Sequence, residues 1–139
     1  MKIVINKCYG GFSLSPLAVK RFAELEGKKC YFFVNAEKKD GGTDFSKIIP
    51  ATLKEAEKNG WHWYAQTTPK FSKTYEGNLD CRPDNRANPN LVKTVEELGD
   101  KANGDCAKLC IVEIPDGIEW EISEYDGMES VEEKHRSWG

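Results

Sequence analysis

The chain has 139 residues, of which 39% are hydrophobic and 11% aromatic, enough apolar surface for the core of one domain over residues 1–139. Its formal net charge of −3 argues against binding of an extended nucleic acid, because proteins that follow a phosphate backbone are normally basic. The sequence has no apolar run of about 18 residues, so it predicts no transmembrane helix and no membrane partner.

Cysteine usage predicts the compartment. The chain has five cysteines, an odd number, and no pair with the C-x-x-C spacing. Secreted domains held by disulfides normally carry an even number of cysteines, and the first residues lack the apolar core of a secretory signal. The sequence therefore predicts a cytoplasmic protein with reduced thiols.

The first half of the chain predicts strands that alternate with helices. A β-branched run indicates a strand at residues 2–6. Ser15 is a good N-cap for a helix at 16–26, and a nearly continuous apolar run predicts a buried strand at 30–35. A proline at the first helical position predicts a helix at 50–59.

The middle of the chain contains a long irregular stretch. A strand is predicted at 61–66, followed by a loop at 67–87 that is rich in proline, glycine, asparagine and lysine. A loop of this length in a small domain is usually functional or mobile. Asn88 then caps a helix over Pro89–Leu98, which Gly99 ends.

The last third predicts strands. Residues 108–114 form an apolar run, and 118–123 alternate between apolar and polar side chains. Asp126 and Gly127 are typical of a two-residue hairpin turn. The segment 128–133 fits either a helix or a returning strand, and we interpret it as the strand of a C-terminal hairpin.

The order of these elements predicts the fold class. Strands and helices alternate first, and strands alone follow. We therefore expect an α/β or α+β fold in a single domain, with one mixed sheet of about five to six strands, two to three helices and a C-terminal β-hairpin.

The first strand leads into a turn with two adjacent glycines, Tyr9-Gly10-Gly11-Phe12-Ser13, and then into a helix. Backbone N–H groups at such a turn can approach a phosphate closely. The run matches neither the P-loop pattern nor G-x-G-x-x-G. Two interpretations remain open: the glycines supply the positive φ that the turn needs, or the turn binds a nucleotide-like ligand.

Basic residues occur in two other places. Two arginines precede the helix start at Asn88, where guanidinium groups can bind a phosphate, and an arginine and a tryptophan near the C-terminus can pair with a phosphate and stack on a base. The alternatives are a solvated loop and an exposed, frayed tail. The predicted ligand-binding residues are Tyr9, Gly10, Gly11, Phe12, Ser13, Arg82, Arg86, Arg136 and Trp138.

Residues suited to catalysis or metal binding form no recognisable pattern. Cys8 would need a histidine base, and His62 and His135 are the two histidines of the chain. Cys106 and Cys110 with His135 fall short of a four-ligand zinc site. The carboxylates of the C-terminal third are interpreted as solvated faces of strands. We predict no catalytic residue, no metal and no cofactor.

Two blocks of the chain carry a family resemblance. One is INKCYGGFSLS near the N-terminus, and the other runs from Arg86 to Trp138 and includes VEELG, IVEIPDG, EYDG and EKHRSW. Together these blocks, which span roughly half of the chain, resemble a family of small, largely uncharacterised phage and prophage proteins. The resemblance implies a phage context, and hence the host cytoplasm, without implying a reaction.

Three functional hypotheses follow. The first is non-enzymatic binding of a small nucleotide-like ligand, which in a phage context would sequester a host defence signal; such proteins are small and often homo-oligomeric. The second is a protein–protein inhibitor or adaptor of a host enzyme that uses the acidic hairpin 120–133. The third is a small nucleotide hydrolase or transferase in which Cys8 or Ser13 attacks and His135 is the base.

Overall fold

A computed structural model describes residues 1–60 and 62–134. The predicted site residues Arg136 and Trp138, and the candidate base His135, lie outside the described residues. The strands within the described ranges are β1 Lys2–Asn6, β2 Tyr31–Glu37, β3 Thr43–Ala51, β4 Trp63–Gln66, β5 Leu109–Glu113, β6 Trp120–Tyr125 and β7 Met128–Glu133. The helices are α1 Pro16–Leu25, α2 Leu53–Lys58 and α3 Pro89–Leu98, and a 3₁₀ turn follows at Gly99–Ala102.

This content confirms an α+β class with a C-terminal hairpin. The strands lie in three small sheets, ordered β1–β5, β3–β2–β4 and β6–β7, whereas the sequence predicted one mixed sheet. Every pairing within these sheets is antiparallel. For β2 and β3 the antiparallel direction has a local cause. A short connection joins these two strands, and strands joined in this way can pair only in the antiparallel direction.

The chain divides into two compact units. Unit 1 combines Met1–Leu14 with the chain from Arg82 onward, and unit 2 is the stretch Ser15–Cys81 between them. Each unit contains only about half of the chain, a size at which a hydrophobic core is marginal by itself. The single domain over residues 1–139 stays a prediction.

Unit 1 is built around β1. Its residues Ile3, Val4 and Ile5 are fully buried, and β1 contacts α3 and β7 while pairing with β5. The amphipathic helix α3 buries Leu91 and Val95. The strand and the helix therefore form the core of this unit by the burial of apolar side chains.

Unit 2 is built around β2, which is the central strand of its sheet. Phe32, Phe33 and Val34 are all buried, which confirms the prediction that this apolar run is covered on both faces. Helix α2 packs against β2, and α1 packs against α2.

Two helices begin directly after residues whose side chains cap them. Ser15 Oγ accepts a hydrogen bond from the N–H of Ala18 at 3.1 Å, as its N-cap role predicts. The prediction that Pro50 opens the second helix is wrong, because Thr52 is the N-cap and forms a reciprocal capping box with Glu55. Pro50 lies in the edge strand β3, where its missing N–H is tolerated. Within residues 1–60 and 62–134, no helix combines the length and apolar character that a membrane crossing requires.

Candidate functional site

The double-glycine turn of unit 1 is packed against another turn. Gly10 and Gly11 both have positive φ, +118° and +95°, and Gly10 N–H donates to the carbonyl of Asp126 at 3.4 Å. A Cβ placed on Gly127 would collide with the backbone nitrogens of Gly10 and Gly11. These glycines therefore have a structural role, since they let two tight turns approach each other.

Arg86 lies against this turn, but its charge is already paired. Its guanidinium carbon stands 3.6 Å above the ring of Phe12. Its two terminal nitrogens donate to Glu129 at 2.6 and 3.0 Å, and Nε donates to the carbonyl of Pro83. The side chains of Arg86 and Glu129 are only 13% and 8% exposed. All three guanidinium nitrogens of Arg86 are used in these hydrogen bonds. Arg86 therefore has a structural role, because it links Pro83 to Glu129.

A polar network surrounds Glu129, and no local sequence pattern indicates it. The N–H of Asn6 donates to Glu129 Oε1 at 2.9 Å. The amide of Asn6 donates to the carbonyls of Cys8 and Gly127, and it accepts from the N–H of Lys108. The interpretation of Glu129 as part of a solvated strand face is wrong, because its side chain is buried. The network joins β1, the β6–β7 hairpin and the segment that contains Arg86.

The other predicted site residues of unit 1 lie at its surface. Tyr9 and Arg82 are exposed, and Ser13 Oγ donates to the carbonyl of Asp105 at 3.4 Å. The structure thus brings Phe12 and Arg86 together, and it pairs Arg86 with a carboxylate that the sequence did not indicate as its partner. A ligand role for the nine predicted residues stays a prediction.

Unit 2 contains a cavity beside the loop that follows β4. This 67–78 loop closes on itself: Thr67 N–H donates to the carbonyl of Gly77 at 2.9 Å, and Leu79 N–H donates to that of Ala65 at 2.8 Å. Compact loops whose ends meet in this way are frequently functional. The sequence predicted a long loop here but not that it would be ordered around a cavity.

One side chain holds the middle of the 67–78 loop. Gln66 is fully buried, and its amide makes two hydrogen bonds with the backbone of Ser72: Ser72 N–H donates to Oε1 at 2.8 Å, and Nε2 donates to the carbonyl at 3.2 Å. A buried, fully used amide of this kind fixes the path of the backbone. The residues on either side of Ser72, Phe71 and Lys73, are thereby positioned.

Aromatic side chains support the loop. The ring of Phe71 makes edge-to-face contacts with Phe33 at 5.2 Å, Tyr64 at 5.5 Å and Tyr75 at 6.1 Å. Tyr75 is 55% exposed and has φ +61°, a conformation that is uncommon for a bulky residue and is often associated with functional sites. The loop therefore presents an aromatic ring to solvent at some conformational cost.

Between the 67–78 loop and β3 lies a half-open cavity of about 560 Å³, which we call the loop cavity. Its lining combines aromatic and aliphatic side chains with two lysines and one serine. The lining residues are Phe33, Ser46, Ile48, Pro50, Pro69, Lys70, Phe71, Lys73 and Tyr75.

Asn35 is a buried donor on the same side of the sheet. It faces Ile48 across the β2–β3 pair and lies two residues from Phe33, so its side chain shares the face that lines the cavity. Tyr64 Oη donates to Asn35 Oδ1 at 3.4 Å, while Asn35 Nδ2 has no hydrogen-bond partner among the described residues. Such a donor is normally satisfied by water or by a bound acceptor.

The described residues offer little for covalent chemistry. The Ser46 hydroxyl donates to Asp44 Oδ1 at 2.6 Å, and the cavity lining contains neither histidine nor cysteine. In the part of unit 1 that is described there is no histidine beside Cys8. No group of three potential metal ligands occurs within residues 1–60 and 62–134. The aromatic rings and the two lysines of the loop cavity are groups that can contact an anionic ligand with a planar ring.

Comparison of the chain with models of known protein families, with curated proteins and with solved structures gives no match.

Proposed function

We propose that the protein binds a small nucleotide-like ligand in the loop cavity without turning it over. The observation that carries the proposal is the combination of an aromatic wall with Lys70 and Lys73 in one cavity of about 560 Å³. This volume lies within the range of small-molecule sites. Aromatic rings stack on bases, and lysine ammonium groups compensate phosphate charge.

The charge around the cavity supports an anionic ligand. The chain as a whole has 23 acidic and 20 basic residues, yet the described residues that line the cavity include two lysines and no carboxylate. A local excess of positive charge in an acidic protein attracts anions selectively. The same field predicts that affinity falls as salt screens it.

The proposed role is sequestration of this ligand in the cytoplasm of a phage-infected host, a proposal supported by the two sequence blocks that resemble phage proteins. A protein that only binds its ligand needs no nucleophile–base pair, and the loop cavity contains none among its described lining residues.

Titration calorimetry of the full chain with adenosine 5′-monophosphate tests the proposal. We expect saturable binding by the wild-type protein. Tyr75→Ala and the double variant Lys70→Glu/Lys73→Glu should each weaken it at least about tenfold, because they remove a stacking surface and the charge-assisted contacts to phosphate.

Matched controls come from unit 1. Tyr125 is a more exposed tyrosine (79%), and Lys93 is an exposed lysine of α3. Tyr125→Ala and Lys93→Glu should leave the affinity unchanged. Absence of binding by the wild type, or equal weakening by the control variants, would contradict the proposal.

A second candidate function rests on the acidic hairpin. β6 and β7 pair only with each other in the described chain, Glu121 stands directly opposite Glu132, and Tyr125 at the turn is highly exposed. A two-stranded sheet with free edges can add a strand from a partner, which fits an inhibitor or adaptor of a host protein. A host protein that Tyr125→Ala no longer retains, and that adenosine 5′-monophosphate does not displace, would favour this function.

A further inference from the structure

A second, smaller cavity adjoins the loop cavity within unit 2. This annex has a volume of about 280 Å³. Three residues, Phe33, Pro50 and Pro69, line both cavities, so the two lie side by side at these residues, which we call the saddle. A mononucleotide that stacks on Tyr75 would leave the annex empty.

The chemistry of the annex differs from that of the loop cavity. Its wall includes Tyr31, Leu53 and the thiol of Cys30. Burial raises the pKa of the Cys30 thiol to about 11, so this sulfur is uncharged at neutral pH. Its one cationic side chain, Lys20, is already paired with Glu24 at 2.6 Å. The annex therefore suits a neutral, largely apolar ring.

The positive charge lies beside the saddle. Lys70 follows Pro69 directly in the chain, and Lys70 and Lys73 line the loop cavity only. A ligand that occupies both cavities would thus place one ring at Tyr75, its anionic group near Lys70, and a second ring in the annex.

From this order of ring, anion and ring we infer that the ligand is a dinucleotide, two nucleosides joined by a phosphodiester. The inference rests on the proposed function, because it assigns the ligand class of the same site. One base stacks at the loop cavity, the phosphate lies at the saddle, and the other base enters the annex.

The experiment compares adenosine 5′-monophosphate with the linear 5′-phosphorylated dinucleotide of two adenosines, by calorimetry on the full chain. The dinucleotide should bind at least about tenfold more tightly, since one additional stacked base contributes a gain of that order. Leu53→Trp, which fills the annex, should abolish this gain and leave the affinity for the monophosphate unchanged.

Lys54→Trp is the matched control, because it adds the same ring at an exposed position of the same helix, and it should keep the gain. Tyr31→Ala is a second variant that removes annex wall instead of filling it, and it should reduce the gain in the same way. Equal affinity for the two probes, or a gain that survives in both Leu53→Trp and Tyr31→Ala, would overturn the dinucleotide inference alone. Binding of neither probe would overturn the proposed function as well.

Discussion

At the scale of single residues, Glu129 carries the largest expected energetic effect. It accepts two hydrogen bonds from Arg86 and one from the backbone of Asn6, and it is almost fully buried. A buried ion pair of this kind contributes little over an apolar replacement, but removal of one partner leaves an uncompensated charge. Removal of one partner should therefore destabilise the protein more than apolar replacement of both partners.

We predict that Glu129→Ala lowers the free energy of unfolding by about 3–5 kcal/mol, because it leaves the Arg86 guanidinium buried and unpaired. Urea denaturation followed by tryptophan fluorescence measures this change. The double variant Arg86→Met/Glu129→Leu should recover a large part of the loss.

The exposed ion pair between Lys2 and Glu96 provides the control. Its side chains are 45% and 46% exposed, so Glu96→Ala should change stability by no more than about 1 kcal/mol. Similar losses for Glu96→Ala and Glu129→Ala would contradict the structural role assigned to the buried pair.

Cys30 gives a pH-dependent prediction. Burial raises the pKa of its thiol from 9.0 to about 11. Between these values the unfolded thiol is ionised while the folded one keeps its proton, so the contribution of Cys30 to stability is lost as the pH rises through this range. Below pH 9 the thiol is protonated in both the folded and the unfolded state, so it does not make the stability depend on pH.

We therefore expect the wild-type protein to lose stability between pH 9 and about 11 more steeply than Cys30→Ala. Urea denaturation at several pH values measures the difference. Cys110, whose thiol pKa is also raised by burial, remains in both proteins and cancels in the comparison. Parallel pH curves for the two proteins would contradict the prediction.

At the scale of elements, the contact between the hairpin turn and the double-glycine turn can be tested with one methyl group. Gly127 has φ +88°, and a Cβ there would meet the backbone of Gly10 and Gly11. Gly117 has a similar φ of +81° with nothing within 4 Å. Substitution by alanine strains the backbone at both positions, but it creates a collision only at Gly127.

We predict that Gly117→Ala costs about 1–2 kcal/mol of stability, the penalty of a left-handed alanine. Gly127→Ala should cost more by about 1–3 kcal/mol, the range for overpacking a close contact. Thermal and urea denaturation of both variants measure the difference. Equal losses would show that the two turns do not depend on their close approach.

The elements that the sequence predicted correctly are those with strong local signals. The strand Lys2–Asn6 and the helix Pro89–Leu98 were predicted with the bounds that the structure has, because a β-branched run and an Asn-Pro start define them locally. β3 was missed. As an edge strand it is largely exposed, so it lacks the apolar alternation by which strands are recognised. Because β3 has no recognisable strand pattern, Pro50 was interpreted as the first residue of the following helix.

At the scale of the whole molecule, none of the described residues that the sequence predicted for the site lines the loop cavity. Phe12 and Arg86 do meet, yet the pairing of Arg86 with Glu129 joins residues 43 positions apart in the chain, which no local pattern reveals. The loop cavity depends on Gln66 holding Ser72 and on β3 facing the 67–78 loop. Both features depend on tertiary contacts, whereas the sequence predicted only a long loop at 67–87.

The central claim is that the ligand binds in unit 2. Amide chemical shifts of the ¹⁵N-labelled full chain, recorded while adenosine 5′-monophosphate is added, test it most directly. We predict saturable shifts for residues 70–75 and for β3, with residues 9–13 unaffected. Shifts confined to residues 9–13, or no shifts at a saturating concentration of the nucleotide, would contradict it.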